Sequence, residues 1–227
     1  MAFPLFASLF ARLAQYARRR LRETHACRGF RVIVDNSRLD IATRDVLQRL
    51  DEALALLEAY APRQVGRLHR DVAYLWIVRY PTRGAFFSQY RCCLTELTFL
   101  ARRDISPAIV ASSILHEAVH ARIHSFRKRL GVQRPDTQAG KEERVCRRAE
   151  LAFALTLPSE LGRPIIDRVR PMLEVDHQQL AVDVDWPVAK ARQDIIDADA
   201  LRLPNWFTRR QRALLRDRHL DLPASDR

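Results

Sequence analysis

The sequence predicts an α+β domain. Residues 72–80 read VAYLWIVRY, dense in the aromatic and β-branched residues that favour strands. Residues 90–100 read as a second strand, antiparallel to the first, with Leu97 and Phe99 on one face. A long, uncharged helical run follows at once, from about 107. A small sheet next to such a helix makes a sensible unit, because the sheet buries one side of the helix.

Size and charge bound the reading. The chain of 227 residues, 48% apolar, is one large domain or one domain with appendages. Nothing is repetitive or low-complexity. Its 39 Lys and Arg against 27 Asp and Glu give a formal charge of +12. This balance suits an anionic partner, such as nucleic acid, an acidic membrane surface or an acidic protein. An Arg-rich, Lys-poor composition is equally what a GC-rich genome produces. The cysteines are Cys27, Cys92, Cys93 and Cys146. No CxxC pair is present, which argues against a structural zinc knuckle. The pattern is not a disulfide framework and favours a reducing compartment.

Taken in order, residues 1–22 place Phe6, Leu9, Phe10, Leu13 and Ala17 at helical spacing. The apolar part is too short to span a bilayer. Its arginines follow the apolar run, the reverse of a secretory signal. The segment reads as a helix packed on the domain or as an interfacial helix peripheral to a membrane. A targeting presequence is a minor alternative. Residues 30–35 read as a strand. Asp40 can cap a helix running to about Tyr60, with Leu47, Leu50, Leu54 and Leu57 on one face and Pro62 closing it. Residues 63–71 read as a basic loop carrying His69, and residues 81–84 as a turn.

The helix from 107 to about 130 has strong ends. Ser106 suits the N-cap, Pro107 the first helical position and Gly131 the residue just past the end. Within it lies His116-Glu117-x-x-His120, the spacing of zinc metallopeptidases. Residues four apart share a helix face, so both imidazoles reach one ion, with Glu117 beside them to act on a water. The plain alternative is a hydrogen-bonded polar helix without metal. His124 lies one turn further on the same face, too far from His116 to share an ion. It reads as a supporting, substrate-side or surface residue. Residues 131–140 form a polar loop, and a helix from Lys141 runs on until Pro158 ends it. A catalytic zinc takes three protein ligands and keeps one position open. A carboxylate on this second helix is the natural third ligand.

These residues resemble the gluzincin type of zincin metallopeptidase, in which a His-Glu-x-x-His helix is followed by a helix bearing a glutamate ligand. The run from Glu143 through Cys146 to Pro158 is also distantly similar to the ligand helix of bacterial ImmA/IrrE-like metallopeptidases. The resemblance covers residues 100–160 and implies a zincin-like fold, one Zn2+ per chain held by His116, His120 and Glu143, and Glu117 as general base in peptide hydrolysis. Glu150, two turns beyond Glu143 on nearly the same face, is the alternative third ligand. Arg122 and Arg147 depart from the family pattern. Tyr90, His124 and His177 are candidate oxyanion or substrate contacts. By the same resemblance, the strand edge near residues 90–99 would align a peptide by strand addition.

After Pro158 the pattern weakens. A short helix is read over 165–173, and residues 180–187 read as extended or loop, with Asp183 and Asp185 solvated or cation-binding. A last helix runs from Trp206 or Arg209 to about His219, with Leu214 and Leu215 inward. The organisation expected is a basic amphipathic helix over 1–24, a zincin-like core over 25–160 and a mostly helical extension over 161–227 that closes the cleft. The function expected is a cytoplasmic zinc peptidase acting on a peptide or protein. The alternative is a non-enzymatic basic module that docks on nucleic acid or an anionic membrane.

Overall fold

The computed structural model describes residues 22–38, 40–132, 139–176, 180, 184–218 and 220–221. The chain is α+β, with a five-stranded mixed sheet and eight α-helices among the described residues. The helix expected over the N-terminal segment lies outside them up to residue 21. Residues 22–24, assigned to that segment from sequence, belong instead to a strand, β1 (Arg22–Cys27). It pairs antiparallel with β2 (Phe30–Asp35) through a tight turn in which Arg28 and Gly29 both have positive φ. Two left-handed residues in succession match the twist of a two-residue hairpin.

Helix α1 (Thr43–Tyr60) starts later than expected. Ala42 occupies its N-cap, while Asp40 pairs with Arg38 instead. Residues 63–71 are not a loop but most of α2 (Pro62–Asp71). Its polar composition hides a narrow apolar stripe, because Val65 and Leu68 alone face the core. His69 stacks on Phe30 with ring centroids 3.7 Å apart.

The sheet order is β1-β2-β3-β5-β4, with β3 (Tyr74–Val78), β4 (Gly84–Phe87) and β5 (Cys92–Glu96). Strand β3 runs parallel to both β2 and β5; the antiparallel partner of β5 is β4. The two strands expected to pair antiparallel are thus parallel neighbours. Gly84, the last residue of the stretch taken as a turn, opens the edge strand, and residues 85–87, left unassigned, complete it. The edge on this side of the sheet belongs to β4, with β1 at the opposite edge, whereas β5 is interior and buried along its whole length. Residues 97–100, expected in the second strand, lie in a short helix, α3 (Leu97–Ala101). Glu96 ends β5 and caps α3 by accepting from the Phe99 amide at 2.7 Å.

Helix α4 (Pro107–Leu130) has the ends read from sequence. Ser106 Oγ accepts from the Ile109 amide at 3.3 Å, and Gly131 adopts φ 65° while its amide reaches the last carbonyls. Residues 108–118 of α4 are mostly buried between the sheet and helices α1, α5 (Ala139–Thr156) and α6 (Ser159–Glu174). Helices α5 and α6 cross closely at Gly162. A side chain there would put its Cβ 2.3 Å from the Ala154 carbonyl oxygen, so glycine is required. Helix α6 brings Ile165 and Val169 into the main core, so the boundary drawn after residue 160 falls within an element of that core.

Helix α7 (Trp186–Ala200) takes in Trp186 and Pro187, the end of the stretch expected as extended or loop. Asp185 Oδ1 accepts from the Val188 amide at 3.2 Å and Pro187 sits in the first turn. Val188, Ala191 and Ile195 meet Leu215 of α8 (Arg209–Asp217) in a small second core. Asp197 ties α7 to the sheet through Arg38 and Arg79. Among the described residues no helix is long and apolar enough to cross a membrane.

Candidate metal centre

Helices α4 and α5 build the site between them. One helical turn separates His116 from His120, and their rings meet with Nε2 atoms 3.2 Å apart. Two lone-pair-bearing nitrogens face each other at this separation only around a shared proton or a shared cation. The carboxylate of Glu143 on α5 spans the pair, with Oε2 3.3 Å from His116 Nε2 and Oε1 3.0 Å from His120 Nε2. The three residues expected as ligands, His116, His120 and Glu143, are therefore brought together as two imidazoles and one carboxylate, a donor set that could hold a zinc ion.

Glu150 takes a different place. Its Oε1 lies 2.7 Å from His116 Nδ1, on the other ring nitrogen, and it is fully buried. Ser112 Oγ donates to Glu150 Oε2 at 2.7 Å, Arg147 donates to Oε1 at 2.6 Å, and Arg168 also donates to Oε2. Arg147, a departure from the gluzincin pattern, thus anchors the glutamate that orients a histidine. His120 has a looser counterpart: Glu142 Oε2 stands 3.8 Å from its Nδ1 and is itself paired with Arg127. A carboxylate behind an imidazole fixes its tautomer and makes the other nitrogen a better donor.

Electrostatics follow from these contacts. Burial opposes charge on His116, but Glu143 and Glu150 outweigh it and the ring's pKa is raised. Burial is likewise outweighed at His120, by Cys146, Glu142 and Glu143. Burial would raise Glu143, yet the two histidines hold it well below the usual carboxylate range. Glu117 behaves oppositely. Burial dominates and lifts its carboxyl, though the two histidines pull the other way.

Glu117 is enclosed by β4 and β5. An added Cβ on Gly84 would lie 3.1 Å from Glu117 Oε1 and 3.2 Å from the Leu94 carbonyl oxygen. Gly84 is therefore a close-approach glycine that seats the carboxylate. Two residues along the same face of β4, Phe86 contacts His124 with centroids 5.8 Å apart. The edge strand thus runs beside α4, and His124 lies under it. Tyr90 is exposed in the turn at the far end of the β4–β5 hairpin from Gly84, away from the cluster. His177 lies outside the described residues.

Cys146 was not foreseen as a site residue. Its thiol lies in a group with His116 and His120 whose donor atoms are all within 4.8 Å of one another. It sits one turn along α5 from Glu143 and is fully buried, and burial raises its pKa although His120 lowers it. The signal available in sequence was its position three residues after Glu143, on the same helix face. All four cysteines are free thiols. No protein-family model, curated protein or solved structure matches the chain.

Proposed function

We propose that the chain is a zinc-dependent peptidase. One observation carries this reading: the Glu143 carboxylate faces both Nε2 atoms of His116 and His120, while separate glutamates back the two rings. His116, His120 and Glu143 would hold the ion. Glu150 stands behind His116 as its orienting partner and not as a ligand. Zinc bound there would supply Lewis acidity toward a carbonyl and a water made acidic enough to react near neutral pH.

The residues of the chain do the rest. Glu117, seated by Gly84, accepts a proton from the attacking water and returns it to the leaving amine. A raised carboxyl pKa suits this exchange, because the group must both take and release the proton. The free edge of β4 aligns an extended peptide by strand addition beside Glu117, and His124 under that strand is the candidate donor to the developing oxyanion. The cytoplasm, as a reducing compartment, fits four free thiols with one beside the metal ligands. Glu117→Gln tests the mechanism: zinc should remain bound and hydrolysis of a peptide library should cease. Undiminished hydrolysis would remove Glu117 from the reaction.

A second reading rests on the C-terminal helices. Trp206 and Phe207 are 72% and 57% exposed, next to Arg209 and Arg210. Exposed aromatics beside arginines suit docking on an anionic membrane or nucleic acid, with or without catalysis. Equal sedimentation of the parent and a Trp206→Ala/Phe207→Ala variant with anionic vesicles would argue against the membrane form.

A further inference from the structure

We propose that an arginine-lined cleft at the start of β4 selects acidic peptides as substrates. The inference rests on the peptidase reading above. A cleft of about 1090 Å³ lies between the loop leading into β4, helix α3 and helix α7. That is just above the roughly 300–1,000 Å³ typical of ligand pockets.

Its charges do not cancel. The carboxylates on its wall are already engaged: Glu96 by Arg79, Asp185 by Arg218 and Asp199 by Arg212. Arg83, Arg192 and Arg202 also line it, and they form no ion pair among the described residues. All three are exposed. The cleft therefore presents three guanidinium groups that form no ion pair among the described residues on a concave wall, where a bidentate carboxylate contact is geometrically favoured.

The cleft borders the first residue of β4, the strand that seats Glu117. Arg83 holds its guanidinium 5.6 Å from the Phe99 ring centroid. The next residue is Gly84, whose added Cβ would lie 3.1 Å from Glu117 Oε1. Successive strand residues advance about 3.3 Å and face opposite sides, so a peptide paired along the β4 edge that runs past Gly84 meets Arg83 one residue on, across the plane of the sheet.

A peptide fits better than a nucleic acid. Single-stranded bases need open aromatic faces to stack on. The two aromatic residues on this wall are already occupied. Tyr80 packs against Phe87 and Trp186 with centroids 5.8 and 5.6 Å away, and Phe99 lies under Arg83.

The test measures fluorescence anisotropy of labelled hexaglutamate at low ionic strength, using the full chain loaded with zinc. Arg83→Gln/Arg192→Gln should weaken binding about tenfold or more, the loss expected for two charge-assisted contacts at exposed positions. Arg44→Gln/Arg67→Gln removes the same charge from α1 and α2 and should change binding less than about threefold, as long-range screening dictates. Arg192→Gln alone, an exposed change on α7, gives a smaller loss in the same direction and guards against misfolding of the double variant. Equal binding by the cleft variants, or tighter binding of an oligothymidylate of matched charge, would overturn the proposal. A peptide-library digest separates the two readings. Cleavage lost in Glu117→Gln but without enrichment of Asp or Glu near the cut bond overturns the cleft alone. Arg-dependent hexaglutamate binding with no zinc-dependent cleavage overturns the peptidase reading and leaves the cleft as a carboxylate site.

Discussion

Glu150 Oε1 lies 2.7 Å from Nδ1 of His116, the ring nitrogen that His120 does not face. This contact separates the two glutamates that helix periodicity leaves equivalent. Glu150→Gln keeps the size and one acceptor but removes the charge behind the ring. We expect zinc affinity to fall about 10–100-fold, the usual effect of losing such an outer partner, with stoichiometry unchanged at saturation. Competition against a chromophoric chelator measures it. Full loss of zinc from Glu150→Gln would make Glu150 a ligand.

Cys146 is close enough to compete for the metal. With Glu143 spanning both Nε2 atoms, we expect the thiol to stay protonated and uncoordinated. Cobalt(II) substituted into the site should show no thiolate-to-cobalt charge-transfer absorption, and Cys146→Ala should retain one metal. A strong charge-transfer band that Cys146→Ala abolishes would place sulfur in the ligand set.

Gly84 is the seat of the proposed base. In Gly84→Ala the new methyl sits within 3.1–3.2 Å of the Glu117 carboxylate, its Cγ and the Leu94 carbonyl oxygen, so the carboxylate must shift. Hydrolysis should drop about tenfold, less than the roughly 100-fold of a full 1 Å displacement of a reacting group, while zinc content stays at the parental level. Parental activity in Gly84→Ala would contradict the placement of Glu117.

Gly162 tests the packing that holds α5 against α6. An alanine Cβ 2.3 Å from the Ala154 carbonyl oxygen cannot be relieved by a side-chain rotation. The helices must separate, at a cost of roughly 2–3 kcal/mol, as for other overpacked cores. Denaturant unfolding would show it as a lower midpoint. An unchanged midpoint would contradict the close crossing.

Legibility from sequence tracked how local the signal was. Helix α4 could be read almost to the residue because Ser106, Pro107 and Gly131 are local signals. His116, Glu117 and His120 came with it. The choice between Glu143 and Glu150 did not, because it depends on how α5 crosses α4, which is tertiary. Strand β4 was missed because it is only four residues long and begins at the glycine that ends a turn signal. Helix α2 was missed because two apolar residues among ten are a faint stripe. The start of α7 had a readable signal, Asp185 capping with Pro187 in the first turn, that the aspartates' charge obscured. Cys146 escaped because its neighbours are histidines on another helix, which no spacing of cysteines reveals.

The central claim is a zinc ion on His116, His120 and Glu143. Elemental analysis of protein purified without a metal-chelating tag tests it most directly, with His116→Ala and Glu143→Ala alongside. The account predicts about one zinc per chain in the parent, as for other three-ligand catalytic sites, and almost none in either variant. No zinc in the parent after adding it back, or full zinc in Glu143→Ala, would contradict it.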